Sequence, residues 1–231
     1  MTTIKNEIPL STAALIAGFG LLIMVIAAPI AELYAYPKIF FANKPDETIN
    51  HILANRSLFV LCILCYLITF ICDIIVAWAL YILLKPVNEH VSLLTCLFRL
   101  VYSVIAITAL LNLISVLKLT SAINLQSYSE SKQLSIQIET LFRTFKDYFS
   151  FGILFFSIHL LLLSFLVFLS KYIPRIFGIL LFVSGVGYML TSLRPVFFPN
   201  INIDFAVYTF YGEIIFMFWL LIKGSKIKIA T

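Results

Sequence analysis

Residues 57–84, with the sequence SLFVLCILCYLITFICDIIVAWALYILL, form a long apolar run that contains a single charged residue, Asp73. A helix needs about 20 mainly apolar residues to cross the hydrocarbon core of a bilayer. The run therefore predicts a membrane-spanning helix. The charge within it is also informative, because a charge near the centre of a span is costly and usually marks a paired or functional side chain.

The same pattern recurs along the whole chain of 231 residues, of which 62% are hydrophobic and 12% are charged. Soluble chains have roughly 45–50% apolar and about 25% charged residues, so a soluble protein is excluded. The predicted fold class is an all-α integral membrane protein, with residues 1–231 forming a single polytopic domain. Its six transmembrane helices are predicted at 10–35, 57–84, 92–117, 148–170, 176–193 and 205–222.

The distribution of basic residues predicts the orientation of these spans. The formal net charge is +5, but the excess lies in loops and tails, where topology and anionic lipid explain it better than nucleic acid does. Lys and Arg are about twice as dense in the segments on the side of the two termini as in those on the opposite side. Both termini are therefore predicted to be cytoplasmic.

The loop between the third and fourth spans, residues 118–147, has a helical pattern of its own. Its apolar residues recur at helical spacing, at Leu134, Ile138, Leu141, Phe142 and Phe145. A helix of this kind either lies on the membrane surface or extends the fourth span. We predict a surface helix and keep the extension as the alternative.

Small residues in the fifth span predict close contact with a neighbouring helix. Gly178 and Gly185 are two turns apart, with Ser184 and Gly187 beside them. Small side chains allow helix backbones to approach each other in a membrane.

Four ionisable residues on four different spans fall at one level near the bilayer midplane: Asp73, Arg99, His159 and Glu213. At 1.5 Å per residue they lie about 13–18 Å from the cytoplasmic ends of their spans. Charges that face lipid lack partners, so we expect this polar layer to lie inside the bundle.

Two interpretations of the polar layer stay open. In the first, Asp73 and Arg99 form an ion pair that locks the hairpin of the second and third spans, and His159 and Glu213 form a second pair. In the second, all four side chains line a polar cavity that binds a small solute or a lipid head group, or relays a proton.

A polar rim is predicted at the outer surface. Glu32 follows Leu10 by 22 residues, about 33 Å along a helix. Arg56 opens the second span and Arg194 closes the fifth at the same surface. Either arginine could neutralise Glu32.

Metal and catalytic templates fit the polar layer poorly, so we predict no catalytic residues, no metal and no cofactor. A zinc site uses three or four His, Cys or carboxylate ligands, and only Asp73, His159 and Glu213 would be available. The sequence has no Gly-x-Ser-x-Gly motif for serine chemistry. A membrane-embedded enzyme that acts on lipid is kept as an alternative, as is a structural subunit without chemistry.

Seven stretches, taken together in their order and spacing, carry a resemblance to a known family. They are AELYA, ILANRSLF, CDIIVAWALYILLKPVN, LFRLVYS, FFSIHLLLL, PRIFGILLFVSGVGY and GEIIFMFWLLIKG. With them the chain resembles the bacterial membrane proteins grouped as domain of unknown function 4386. The resemblance implies a six-span protein of the bacterial inner membrane and brings no agreed activity.

The resemblance covers the candidate residues but not the loop before the fourth span. The matching stretches contain Glu32, Arg56 and all four residues of the polar layer. Residues 120–147 are the least family-like region. We therefore predict a membrane protein that binds or moves a small solute, a lipid head group or a proton, with the lipid bilayer and a small-molecule or lipid ligand as partners.

Overall fold

The computed structural model describes residues 8–121, 128–197 and 209–227, and this part of the chain contains eight α-helices and no strand. The helices are α1 (Leu10–Pro29), α2 (Tyr36–Ile39), α3 (Pro45–Ala54), α4 (Arg56–Leu84), α5 (Glu89–Ser121), α6 (Tyr128–Leu169), α7 (Arg175–Phe197) and α8 (Tyr211–Lys223). A π-helical turn, Ile30–Ala35, joins α1 to α2, and a 3-10 turn, Gly224–Lys226, follows α8.

Five helical segments among the described residues are long and apolar enough to cross a membrane. They are Leu10–Ile39, Arg56–Leu84, Glu89–Ser121, Gln133–Leu169 and Arg175–Arg194. The prediction of an all-α protein is thus confirmed, and these helices suggest a membrane protein. The predicted sixth span begins outside the described residues, and α8 has 13 residues, about 20 Å of helix. The sixth crossing and the cytoplasmic location of the termini stay predictions.

The segment before the fourth span is not a separate surface helix. It is the first part of α6, which continues without a break from Tyr128 to Leu169. Ile138, Phe142 and Phe145 are fully buried. The apolar pattern of this segment faces protein instead of the membrane surface, so the alternative of an extended fourth span describes the structure.

Pro29 accounts for the change of helix type at the end of α1. A proline inside a helix lacks the N–H of the backbone ladder and clashes with the preceding turn. The chain continues as the π-helical turn that carries Glu32. Such turns are rare and are found often at functional sites.

The described helices are divided between two compact units, which we describe separately. The first unit is formed by Met1–Leu22, Cys72–Tyr102 and Ile153–Thr231, and the second by Ile23–Ile71 and Ser103–Gly152.

Glycines bring the helices of the first unit close together. A Cβ on Gly178 or Gly185 would meet α6 at 3.0–3.2 Å, and one on Gly212 would lie 2.7 Å from the backbone oxygen of Leu180. The Ser184 hydroxyl lies 2.6 Å from the backbone oxygen of Thr209. The close packing that the small residues of the fifth span predict is confirmed.

The turn between α6 and α7 is held by Tyr172, which lies outside the spans. Its hydroxyl donates a hydrogen bond to the backbone oxygen of Leu83 at the end of α4. The Ser170 hydroxyl accepts from the backbone N–H groups of Tyr172 and Ile173. Burial raises the pKa of Tyr172 to about 12, against a smaller lowering by the hydrogen bond with Ser170.

We expect Tyr172→Phe to lower the free energy of unfolding by about 0.5–1.5 kcal/mol at neutral pH, because one hydrogen bond is lost. The folded-state pKa is above the unfolded value, so the contribution of Tyr172 is complete below about pH 10 and is lost as the pH rises towards 12. Chemical unfolding in detergent at several pH values measures this difference. Tyr148→Phe, at an exposed tyrosine, is the control. A gap between wild type and Tyr172→Phe that does not narrow above pH 10 would contradict the assignment.

The second unit contains a cluster of aromatic rings in tilted and edge-on contact. Tyr36 contacts Phe40, Phe142 and Phe145, and Tyr66 contacts Phe145. Asn43 in the loop between α2 and α3 accepts a hydrogen bond from Arg143 of α6, and Asp46 in the first turn of α3 accepts one from Ser135 of α6, both 2.8 Å long. Asn43 has a φ of 63°, a conformation that asparagine adopts more readily than most residues.

Candidate functional site

The four residues of the polar layer all belong to the first unit, each on a different helix. Asp73 is on α4, Arg99 on α5, His159 on α6 and Glu213 on α8. Asp73 and His159 are 0% exposed and Arg99 is 1% exposed, whereas Glu213 is partly exposed. Three members are thus fully buried, and the fourth residue keeps some exposed surface.

Arg99 is the centre of the layer. Its Nη2 and Nε atoms lie 2.6 and 2.9 Å from the same oxygen of Asp73, Oδ1. Its Nη1 atom lies 3.1 Å from Nε2 of His159. The other carboxylate oxygen, Oδ2 of Asp73, is buried and has no hydrogen-bond partner among the described residues.

The hydrogen bonds of His159 define its tautomer. Nδ1 lies 2.8 Å from the backbone oxygen of Thr95, which can only accept. Nδ1 therefore carries a proton. Nε2 faces the guanidinium of Arg99, which can only donate, so Nε2 carries the lone pair and the ring is neutral.

Aromatic side chains cover the other side of the guanidinium. The ring of Phe156 lies 5.2 Å from Cζ of Arg99 and meets Tyr188 edge-on. The hydroxyl of Tyr188 is hydrogen-bonded to Glu213. A chain of contacts thus runs from Arg99 through Phe156 of α6 and Tyr188 of α7 to Glu213.

Glu213 and Arg99 line a small cavity. Its volume is about 10 Å³, which is room for about one water molecule. The remaining walls are apolar and consist of Leu21, Leu80, Leu160, Leu163, Leu181 and Phe216. The only charged groups in this wall are one guanidinium and one carboxylate.

The charges of the layer do not cancel if every carboxyl is ionised. One cation, Arg99, faces two carboxyl groups, Asp73 and Glu213, and His159 is neutral. Two of the nitrogen atoms of Arg99 bond to Asp73, so Asp73 is the carboxylate that its charge directly neutralises. A net negative charge in an apolar interior is costly, so a proton or a cation at Glu213 would stabilise the layer.

The outer residues predicted from the sequence have separate partners. Glu32 accepts hydrogen bonds from Tyr66 and Lys146 in the second unit, so Lys146 is its ionic partner. Arg56 donates to the hydroxyl of Ser121 at 2.9 Å. Arg194 is a partly exposed residue of α7 in the first unit.

Nearly the whole chain matches one known protein family. The family described as domain of unknown function, DUF4386, matches residues 16–224. The chain belongs to this family. An uncharacterized protein of the archaeon Archaeoglobus fulgidus is 37% identical over 158 residues, which cover 68% of this chain and 80% of that protein. No solved structure matches the chain significantly.

Membership of DUF4386 covers the site without assigning a function to it. All four layer residues and Glu32 lie within the matched residues 16–224. The similar protein of Archaeoglobus fulgidus is itself uncharacterized and assigns no activity either. Among the residues that the structure describes, no group of three His, Cys, Asp or Glu side chains could hold a metal ion.

Three contributors to the layer were not predicted from the sequence. Thr95 acts through its backbone oxygen, which no side-chain pattern identifies. Phe156 and Tyr188 sit among many other aromatic residues of the spans. The only available signal was helical spacing, since Thr95 precedes Arg99 by four residues and Phe156 precedes His159 by three.

Proposed function

We propose that this protein is a multi-pass protein of the cytoplasmic membrane that takes up and releases a proton at Glu213 while binding or moving a small solute. The observation that carries the proposal is the difference between the two carboxyl groups. Asp73 is sealed and bonded to Arg99, whereas Glu213 is partly exposed and lines a cavity that can hold a water molecule. Glu213 is therefore the group that can exchange a proton.

The sealed members act as a support for this site. The guanidinium of Arg99 is held by Asp73 on one side and by His159 on the other, and His159 is held by the backbone of α5. A fixed positive charge beside Glu213 favours its ionised form, while the apolar walls favour its neutral form. These opposed influences suit a carboxyl group that changes its protonation state in use.

The arrangement supports a membrane-embedded enzyme less well. A histidine that acts as a general base needs a free lone pair within reach of its substrate. The lone pair of His159 faces Arg99, and the ring is fully buried.

Infrared difference spectroscopy of the protein in lipid nanodiscs tests the proposal. We expect the carbonyl band of a protonated carboxyl group that appears and disappears with pH. Glu213→Gln should abolish this band and still fold, because glutamine has the shape of the neutral acid. Glu89→Gln, at an exposed ion pair with Lys85, should leave the band unchanged. A titrating band that persists in Glu213→Gln, or none in wild type, would contradict the proposal.

Movement of the proton is measured separately in proteoliposomes that contain a pH-sensitive dye. An imposed pH gradient should collapse at least about tenfold faster with wild type than with Glu213→Gln, which corresponds to about 1.4 kcal/mol in the barrier. If the pH gradient collapses equally fast with both proteins, Glu213 binds a proton but does not carry it across the membrane.

A further inference from the structure

A second polar cluster lies in the second unit, around the π-helical turn. Glu32 accepts a hydrogen bond from Lys146 at Oε1 and another from Tyr66 at Oε2. The ammonium of Lys146 also lies 4.1 Å from the centre of the Tyr36 ring. The side chains of Glu32 and Lys146 are 37% and 35% exposed, so both charges can be reached from outside the protein.

From this arrangement we propose that Glu32 and Lys146 bind the head group of a phospholipid that carries a phosphate and a primary ammonium, the ethanolamine class. The phosphate contacts Lys146 and the ammonium contacts Glu32. Head group and ion pair then form an antiparallel arrangement of four charges with zero net charge.

The unused hydrogen-bonding capacity of the pair supports this ligand. A carboxylate has about four lone-pair positions, and the described partners of Glu32 occupy two. An ammonium has three donors, and Lys146 uses one of them on Glu32. The pair can therefore accept from a new donor and donate to a new acceptor without breaking its own bond.

Tyr36 adds a further donor to the cluster. Its hydroxyl is buried, interacts electrostatically with Glu32, and has no hydrogen-bond partner among the described residues. The ring lies beneath the ammonium of Lys146. If Lys146 turns towards a phosphate, the ring is uncovered and the hydroxyl can reach the ligand or a bridging water.

The position of the pair favours a lipid over a dissolved molecule. Glu32 follows Leu10 by 22 residues and Lys146 precedes Leu169 by 23, about 33 and 34 Å of helix. The hydrocarbon core is about 30 Å thick, so both residues lie at head-group level. The next two residues after Glu32, Leu33 and Tyr34, are exposed and apolar or aromatic, as a surface next to acyl chains requires.

Other common head groups match the charges of Glu32 and Lys146 less well. An anionic phosphatidylglycerol has a phosphate for Lys146 but no ammonium for Glu32, and its net charge is repelled by the carboxylate. A choline head group has a quaternary ammonium, which cannot donate a hydrogen bond to Glu32.

Native mass spectrometry of the purified full chain, with phosphatidylethanolamine, phosphatidylcholine and phosphatidylglycerol at equal concentration, tests the proposal. We expect wild type to retain phosphatidylethanolamine about tenfold over the other two. Glu32→Gln should lose the preference over phosphatidylcholine, and Lys146→Gln should lose binding of all three. Glu47→Gln, at the exposed pair with Lys44, is the matched control and should behave as wild type.

Tyr36→Phe keeps the proposal testable if the charge variants do not fold, because the hydroxyl it removes has no partner to lose. We expect it to fold and to retain about threefold less phosphatidylethanolamine. Equal retention of the three lipids by wild type would overturn the proposal, as would unchanged selectivity in both Glu32→Gln and Tyr36→Phe. Displacement of the lipid by an equal concentration of soluble glycerophosphoethanolamine would overturn the assignment to a membrane lipid.

Discussion

Arg99→Met is expected to lower the free energy of unfolding by about 3–5 kcal/mol, because it leaves the buried charge of Asp73 without its partner. Asp73 is 0% exposed and its Oδ2 atom has no hydrogen-bond partner among the described residues, so bulk solvent does not reach the carboxylate to replace the guanidinium. Nε2 of His159 would also lose the hydrogen bond that it accepts from Arg99. The change is measured by thermal or denaturant unfolding in detergent.

A double variant shows how much of this loss comes from leaving Asp73 charged and unpaired, and how much from removing the Arg99 side chain itself. Asp73→Asn/Arg99→Met removes both charges, so we expect it to recover most of the stability that Arg99→Met loses. Lys85→Met breaks the exposed pair with Glu89 and should change stability by less than about 1 kcal/mol. If Arg99→Met costs no more than Lys85→Met, Asp73 and Arg99 do not stabilise the fold as a pair.

Gly212→Ala has the second large effect that we expect, a loss of about 1–3 kcal/mol, because its methyl group would enter the contact between α7 and α8. The new Cβ would lie 2.6 Å from Oγ of Ser184 and 2.7 Å from the backbone oxygen of Leu180. A backbone atom cannot rotate away, so the two helices must separate. Glu213 is the next residue, and its position beside the cavity would change with them.

Gly185→Ala is the matched control on α7. Its Cβ would lie 3.0 Å from Cδ2 of Leu161 and 3.2 Å from Cβ of Leu160, so it meets side-chain atoms that can give by a few tenths of an ångström and none of its three nearest contacts is a backbone atom. Alanine also favours a helix over glycine by about 1 kcal/mol. We therefore expect Gly185→Ala to be close to neutral in thermal unfolding. If both variants lower the free energy of unfolding by similar amounts, the contact of Gly212 with the backbone of Leu180 does not explain the effect of Gly212→Ala.

The level of the polar layer could be predicted because the rise of a helix is constant. Counting residues from the ends of the spans places Asp73, Arg99, His159 and Glu213 at one depth, and the structure brings the first three into direct contact. Counting does not give the rotation of each helix. His159 and Glu213 were a possible pair from the sequence, but His159 instead accepts a hydrogen bond from Arg99 and donates one to the backbone oxygen of Thr95.

The partner of Glu32 also could not be read from the sequence. Two arginines at span ends were candidates from the sequence, but Lys146 is the residue that binds it. Lys146 lies in a segment that we predicted to be a separate surface helix. Because that segment is continuous with α6, Lys146 is placed within the second unit beside Tyr36 and Tyr66.

Composition and spacing along the chain are enough to show that it forms long apolar helices, where most of them begin and end, and which few charges lie far from their ends. These properties depend on composition and length along the chain, which are local. The packing of the helices, in contrast, places Arg99 between Asp73 and His159, Glu213 beside a cavity, and Glu32 next to Lys146. Those contacts depend on how each helix is rotated and how closely its glycines let it approach a neighbour, and both are set by packing between residues distant in sequence.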